Sequence, residues 1–168
     1  MDISRRGRTI QASPIRKFKP LADAAMARGL RVYFINIGDP DIPTPQPIMD
    51  AVRGFEQKIL SYGPAQGFLV LRQAVAEYFG SYNIPLTEEN VITTIGGSEA
   101  VLFAFCIVAD PGDEIIVAEP FYTNYNGFAS IADVKLVPLT LKAEDGFRLP
   151  PASEYEAHIT PRTRAIVL

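Results

Sequence analysis

The sequence predicts an α/β fold in which a three-layer, mostly parallel sheet carries helices on both faces. Strand and helix patterns alternate from about residue 91 to the end of the chain. The strands in this stretch are continuously apolar, which is typical of parallel strands that are buried on both faces. With 168 residues the chain is long enough for one compact domain with a sizeable core.

The first third of the chain is rich in proline and predicts short, separated elements. A helix over about 21–28 ends at Gly29, a usual helix stop. The apolar run 31–37 predicts a strand that leads into the turn Gly38-Asp39-Pro40-Asp41. A second helix is predicted over about 45–58, because proline is favoured at a helix start.

The rest of the chain supplies the regular part of the fold. Residues 67–82 predict a helix, because Leu71, Val75 and Phe79 recur at helical spacing. The order predicted beyond it is strand 91–95, helix 98–109, strand 114–118, helix 122–132, strand 134–139, helix 151–158 and strand 164–168. Ligands of open α/β sheets bind in loops that follow strands, and no loop follows the last strand. Truncation and a natural domain end fit this feature equally well.

Composition limits the class of protein. With 48% hydrophobic and 21% charged residues, the chain is typical of a soluble globular protein, and its use of a single cysteine fits a reducing, cytoplasmic setting. The single cysteine, Cys106, excludes an internal disulfide framework and a cysteine-rich metal site. Residues 1–19 contain six basic residues and one acidic residue. This excess of basic residues fits a solvent-exposed N-terminal segment better than an organelle-import signal or a segment that binds nucleic acid.

A candidate anion site lies between a predicted strand and helix, at Gly96-Gly97-Ser98-Glu99. Glycine lets the backbone approach a ligand closely, and the first N–H groups of a helix have no partner within it. Together with the helix dipole they favour a phosphate, to which the Ser98 hydroxyl can add a hydrogen bond. The same residues also fit a plain N-cap and a tight turn.

A second candidate feature follows the next predicted strand, at Glu119-Pro-Phe-Tyr-Thr-Asn-Tyr125. The carboxyl ends of parallel strands meet at one edge of a sheet, so this segment should lie near the Gly97 turn. An aromatic ring there could stack on a flat ligand whose phosphate binds at Ser98. Each of Phe121, Tyr122 and Tyr125 taken alone also fits a core position.

Together these segments resemble the class I and II aminotransferases of fold type I, of the aspartate-aminotransferase kind. The resemblance covers nearly the whole chain, in matching order and spacing. The segments that carry it are Ser13-Pro-Ile-Arg16, Asn36-Ile-Gly-Asp-Pro-Asp-Ile-Pro-Thr-Pro45, Tyr62-Gly-Pro-Ala-Gln-Gly67, Leu71-Arg72, Gly96-Gly-Ser-Glu-Ala100, Asp110-Pro-Gly-Asp-Glu114, Pro120-Phe-Tyr-Thr-Asn-Tyr125 and Thr160-Pro-Arg-Thr-Arg-Ala165. The resemblance implies an N-terminal arm with part of a small domain in residues 1–45. It implies an incomplete, cofactor-binding large domain in residues 46–168.

The resemblance also implies a cofactor, pyridoxal 5′-phosphate, and its ligands. Gly97, Ser98 and Glu99 would bind the phosphate through backbone N–H groups, with the Ser98 hydroxyl helping. Tyr122 would stack on the pyridine ring, where many relatives have tryptophan or phenylalanine. No metal is implied.

Two further residues have implied roles in a reaction that moves an amino group between an amino acid and a 2-oxo acid. Gly38 would approach the substrate carboxylate with its backbone. Tyr62 would reach the phosphate in the partner's site, in a homodimer with shared active sites. Neither nucleic acid nor a membrane is expected as a partner.

Several groups that carry the family's chemistry have no counterpart in this sequence. They are the Schiff-base lysine, the aspartate at the pyridine nitrogen, the arginine for the substrate carboxylate and the Asn-Pro-x-x-Pro-Thr-Gly loop. The lysines present, none in the family's Ser-x-Ser-Lys context, are Lys17, Lys19, Lys58, Lys135 and Lys142. We therefore expect an amino-terminal fragment that is inactive alone, with the Schiff-base lysine beyond Leu168, and we assign no catalytic residue.

Other functions remain open on the sequence. Enzymes with the same front half include carbon–sulfur lyases and decarboxylases, and a non-catalytic ligand-binding domain could use the same scaffold. An unrelated nucleotide-binding domain would use Gly97 and Ser98 for phosphate and Glu119 for a ribose. The absence of a Gly-x-Gly-x-x-Gly fingerprint disfavours that last class.

Overall fold

The computed structural model of the chain describes residues 2–11 and 13–168. The chain divides into two compact units, which we name after their contents. The sheet unit comprises the residues up to Tyr33 together with Ile95–Leu168, and the helical unit is Phe34–Thr94. The assignment of 1–45 and 46–168 to two domains of a complete enzyme stays a prediction.

The sheet unit contains most of the regular structure. Its helices are α1 (Arg5–Thr9), α2 (Lys19–Ala27), α5 (Gly97–Val108), α6 (Tyr125–Ala132) and α7 (Ala152–Glu156). Its strands are β1 (Glu114–Glu119), β2 (Lys135–Thr140) and β3 (Thr163–Val167). Short 3₁₀ turns occupy Arg16–Phe18 and Ala143–Asp145. The helical unit contains α3 (Gln46–Arg53), α4 (Leu69–Gly80) and a 3₁₀ turn at Glu88–Asn90.

The three strands form one parallel sheet in the order β2-β1-β3. This confirms the predicted α/β class with parallel strands. Central β1 is the most buried element, with Ile115, Ile116 and Val117 almost fully enclosed. This explains its continuous apolar run, since a central strand covered on both faces has no solvent side on which to place polar residues.

Helices α5 and α6 cover one face of β1. Ile115 packs in a cluster with Phe105 and Ala109 at the end of α5, Ala129 of α6 and Val134. Burial of these side chains is the main stabilising contribution, at roughly 25 cal/mol per Å² of apolar surface. It fixes the position of α5 and therefore that of the turn at its amino end.

The connection from α5 to β1 determines which sheet edge that turn occupies. The Asp110 N–H donates to Asp113 Oδ2 over 3.0 Å, and the Asp113 N–H donates to the Asp110 carbonyl over 3.0 Å. Because this tight turn joins two packed elements, α5 runs antiparallel to β1. The first residue of α5 therefore lies at the edge where β1 ends.

The helical unit is built around α4. Buried Arg72 donates through Nη1 to the Glu88 carbonyl over 2.8 Å and so ties α4 to the 3₁₀ turn. Gly67, just before α4, has a φ of +94°, and a Cβ there would collide with the Thr93 side chain. Glycine is therefore required at this position both by conformation and by space.

Two predicted strands are wrong. Within the described residues, neither 31–37 nor 91–95 is a strand. A strand needs a neighbouring strand with which to form hydrogen bonds. In these two segments Ile35 is 96% exposed and Ile95 is 91% exposed, so neighbouring elements do not cover these side chains. The Thr93 N–H donates to the Gln66 carbonyl instead, over 3.0 Å. Apolar, β-branched composition alone does not supply a strand with a partner.

Helix α1 at Arg5–Thr9 and the short 3₁₀ turns were not predicted, and the other differences are shifts of element ends. Helix α3 ends at Arg53 rather than near residue 58, with Gly54 as its C-cap. Helix α6 begins at Tyr125 rather than at Tyr122. The Tyr125 N–H donates to the Tyr122 carbonyl over 2.9 Å, so residues 122–125 form a turn that leads into the helix.

Candidate functional site

The turn before α5 has the geometry of an anion-binding site. Gly96 is the N-cap with a φ of +81°, and its position has no side-chain cap. Gly97 and Ser98 open the helix and are exposed. A Cβ placed on Gly97 would meet nothing within 4 Å, so the backbone is open to a ligand. The first-turn N–H groups of a helix point outward and carry partial positive charge, which favours an anion.

The side chain of Glu99 makes a hydrogen bond within the turn, whereas the predicted contact of Glu99 with phosphate uses its backbone N–H. Its Oε2 accepts a hydrogen bond from the Ile95 N–H over 2.6 Å, so the carboxylate folds back along the turn. The predicted phosphate contact of Glu99 uses its own N–H, in the first turn of α5. The side chain therefore holds the turn, and the proposed contact with an anion is left to the backbone.

The aromatic segment lies at the same edge of the sheet unit. It follows the carboxyl end of β1 at Glu119, and α5 starts at that edge because it runs antiparallel to β1. The sequence-based expectation that Ser98 and Tyr122 share one sheet edge therefore agrees with the topology of the structure.

Tyr122 presents a half-exposed ring, and the ring of the partly buried Tyr125 lies next to it. The side chain of Tyr122 is 50% exposed. Its ring meets Tyr125 edge-on at a centroid distance of 5.7 Å. Tyr125 in turn stacks on Phe121 at 6.1 Å and meets Phe105 of α5 at 6.2 Å. The Tyr122 ring thus remains accessible, while neighbouring aromatic rings pack along its edge.

One hydrogen bond at the site was not anticipated from the sequence. Asn124 Nδ2 donates to the Tyr122 hydroxyl oxygen over 2.6 Å. The sequence offered only the presence of an asparagine just before a helix, which is more often a sign of an N-cap.

Gly38 and Tyr62 lie in the helical unit. Both are exposed and stand outside helices and strands, and Tyr62 is fully accessible. A Cβ on Gly38 would meet nothing within 4 Å. Their implied roles, towards a substrate carboxylate and towards a partner's site, stay predictions.

Glu119, the acidic residue that a nucleotide-binding domain would use for a ribose, is already engaged. Thr140 Oγ1 donates to Glu119 Oε1 over 2.6 Å, and the Leu141 N–H donates to the Glu119 carbonyl over 2.7 Å. These contacts tie the ends of β1 and β2 together. They give Glu119 a structural explanation that needs no ligand.

A cluster of paired charges lies at the opposite edge of the sheet, where the strands begin. Glu114 is 3% exposed at its side chain and accepts from Thr160 Oγ1 at 2.7 Å, from Arg162 at 3.0 Å and from Lys135 at 3.3 Å. Mainly through the Thr160 and then the Arg162 hydrogen bond, these contacts lower the pKa of Glu114 from 4.5 to about 2.

Asp113 at the same edge is paired in a similar way. Arg164 Nε donates to Asp113 Oδ2 over 2.8 Å, and this contact lowers the pKa of Asp113. Because both carboxylates are matched by cations or hydroxyl donors, the cluster fastens strands together and leaves no unpaired acid for catalysis.

The described residues show neither a cluster of metal-binding side chains nor a helix that could cross a membrane. They contain no group of three or more histidine, cysteine, aspartate or glutamate side chains that could hold a metal ion. In the same part of the chain, no helix has both the length and the apolarity needed to cross a membrane.

Known proteins resemble this chain in sequence. The family model described as aminotransferase class I and II matches residues 34–168. The aspartate/prephenate aminotransferase of Thermus thermophilus is 32% identical over 168 residues, which cover 99% of this chain and 43% of that protein. The arginine–pyruvate transaminase of Pseudomonas aeruginosa is 34% identical over 148 residues, covering 86% of this chain and 37% of that protein.

Solved structures resemble the chain as well. A single mutant of Thermus thermophilus aspartate aminotransferase superposes with a TM-score of 0.91 at 32% identity, covering 100% of this chain and 44% of the other. An alanine aminotransferase from Pyrococcus furiosus gives a TM-score of 0.90 at 29% identity, covering 98% and 43%. The chain therefore spans less than half the length of these relatives.

Proposed function

This chain belongs to the class I and II aminotransferase family, and from that premise we propose that it provides the phosphate- and ring-binding part of a pyridoxal-phosphate-dependent aminotransferase. The whole enzyme would move an amino group between an amino acid and a 2-oxo acid. The proposal rests on the open Gly97 turn and the half-exposed Tyr122 ring, which occupy one edge of one sheet.

The residues of the site fit the two ends of the cofactor. The N–H groups of Gly97, Ser98 and Glu99 would hold the phosphate at the positive end of α5, with the Ser98 hydroxyl as a further donor. The Tyr122 ring would lie against the pyridine ring and hold it in one plane. When bound, pyridoxal phosphate supplies the electron sink that amino-group transfer requires.

The chain's own residues bind and orient in this scheme. Lys135 pairs with Glu114 at 3.3 Å at the opposite sheet edge, and Lys19 pairs with Asp23 at 2.8 Å on α2. Both lysines are therefore already engaged in ion pairs. Gly38 would approach the substrate carboxylate, and Tyr62 would serve the second site of a homodimer.

A comparison of ligands with and without phosphate tests the site. Pyridoxamine 5′-phosphate and pyridoxamine differ only in that group, and neither needs a reactive lysine. We expect the chain to prefer the phosphorylated form and Ser98→Ala to reduce that preference by roughly ten- to a hundredfold, the effect of one hydrogen bond to a charged group, which is worth about 1.5–3 kcal/mol. Ser153→Ala in α7 is the matched control, because Ser153 is exposed and distant in sequence from the site.

Equilibrium dialysis or an NMR titration would measure both affinities. Equal binding of the two ligands by the unaltered chain would contradict a phosphate site. An equal loss in Ser98→Ala and Ser153→Ala would contradict the specific role of Ser98.

A further inference from the structure

Asn124 occupies the N-cap of α6 without capping it. Asparagine is among the most favoured N-cap residues, because its side-chain oxygen accepts a hydrogen bond from the first turn. Here the side chain makes no such bond, and the backbone is already helical with φ −69° and ψ −16°. The amide is therefore free to act elsewhere.

That amide acts on Tyr122. Asn124 Nδ2 donates to the Tyr122 hydroxyl oxygen over 2.6 Å. At its other side the ring of Tyr122 stands edge-on to Tyr125, with an interplanar angle of 86°. Tyr125 is held by Phe121 and Phe105. The Tyr122 ring is thus fixed by packing along its edge and by a hydrogen bond at its tip.

We propose that Asn124 is a positioning residue that holds the ring of Tyr122 ready to stack on a flat, phosphorylated ligand. This inference rests on the proposed function of the site. A half-exposed tyrosine without such a partner would rotate about two side-chain torsions, and ligand binding would have to restrict that motion. A ring that is already fixed reduces this entropic loss and so raises affinity.

The hydrogen bond can be removed from either side while the stacking surface remains. Tyr122→Phe keeps the ring and removes the hydroxyl, and Asn124→Ala keeps the ring and removes the amide. Asn124→Asp is a conservative variant, because a carboxylate can accept a hydrogen bond from the tyrosine O–H. Asn126→Ala is the matched control, because it removes another asparagine side chain at the second residue of α6.

The first measurement needs no ligand. The order of the Tyr122 ring can be followed by ¹³C relaxation in tyrosine-labelled protein. We expect Asn124→Ala to lower it, Asn124→Asp to restore it, and Asn126→Ala to leave it unchanged. Unchanged ring order in Asn124→Ala would overturn the proposal.

The second measurement is a double-mutant cycle on the affinity for pyridoxamine 5′-phosphate. We expect Asn124→Ala and Tyr122→Phe each to weaken binding about three- to tenfold, and the double variant to be no weaker than either one. A further loss from Asn124→Ala in the Tyr122→Phe background would mean that Asn124 acts independently of the hydroxyl, and the proposal would fail.

Failure of the proposed function has a separate signature. If Tyr122→Ala leaves ligand affinity unchanged, or if the unaltered chain does not bind the ligand, stacking at Tyr122 is refuted. The role of Asn124 towards a ligand is then refuted with it, whatever the ring order shows. If Tyr122→Ala weakens binding but Asn124→Ala does not, only the inference about Asn124 fails.

Discussion

At the scale of single residues, the residues proposed for function are exposed groups that packing alone does not explain. Gly97 is open, the Tyr122 ring is half exposed, and Tyr62 is fully accessible in the helical unit. Tyr62 lies just before Gly63 and Pro64, and its role at an interface stays a prediction.

Tyr62 leads to a prediction for the assembled enzyme. If its hydroxyl contacts the cofactor phosphate of the partner subunit, Tyr62→Phe should weaken cofactor retention by about 1.5–3 kcal/mol at most, the value of one hydrogen bond to a charged group. Dialysis of the loaded dimer would measure the loss. Tyr33→Phe, which removes another exposed hydroxyl, should have no effect. Unaltered retention in an intact Tyr62→Phe dimer would argue against the contact.

At the scale of elements, the beginnings of β1, β2 and β3 are joined by one buried carboxylate. Glu114 of β1 receives Lys135 from β2, and Thr160 and Arg162 from the turn before β3. Its pKa is lowered from 4.5 to about 2, so the folded state favours the charged form. The stabilisation from this group is present above about pH 4.5 and is lost as the pH falls towards 2.

Glu114→Gln should therefore change the pH dependence of stability. The variant cannot ionise, so its urea midpoint should be lower than that of the unaltered chain at pH 6. The difference between the two should shrink as the pH falls from about 4.5 towards 2. Glu154→Gln, at an exposed position of α7, should leave the profile unchanged. Parallel profiles for Glu114→Gln and the unaltered chain would show that the network does not act through ionisation.

At the scale of the whole molecule, the chain spans 43–44% of the length of several relatives, and two of its lysines, Lys19 and Lys135, are engaged in ion pairs. The Gly97 turn and the Tyr122 ring are local features of the sheet unit. We expect them to give only weak, non-covalent binding of pyridoxal phosphate, because a few contacts must offset about 4–15 kcal/mol of lost ligand freedom.

Borohydride reduction gives a direct test on the 168-residue chain. After incubation with pyridoxal phosphate and reduction, peptide mapping should find no single lysine that carries one equivalent of pyridoxyl group. Random, substoichiometric labelling of exposed lysines is the expected background. One stoichiometric label on Lys17, Lys19, Lys58, Lys135 or Lys142, accompanied by turnover, would overturn the expectation that the chain alone is inactive.

The sequence by itself determined the α/β class, most helices and strands, the turn at Asp110–Asp113 and the family. The class, the elements and the turn follow from local physics, namely apolar periodicity and glycine and proline at turns, whereas the family rests on the resemblance of ordered motifs to known proteins. It could not decide whether 31–37 and 91–95 become strands, because a strand exists only where another strand supplies hydrogen bonds.

Only the tertiary structure decided how side chains meet. It showed that Glu99 folds back to Ile95 and that Asn124 leaves its helix cap for Tyr122. It also brought Thr160 and Arg162 to Glu114, across about fifty positions of sequence. Such contacts depend on the direction of each side chain and on chain elements that are distant in sequence. Neither composition nor residue spacing specifies these contacts, because the packed fold sets both the direction of each side chain and the elements that it meets.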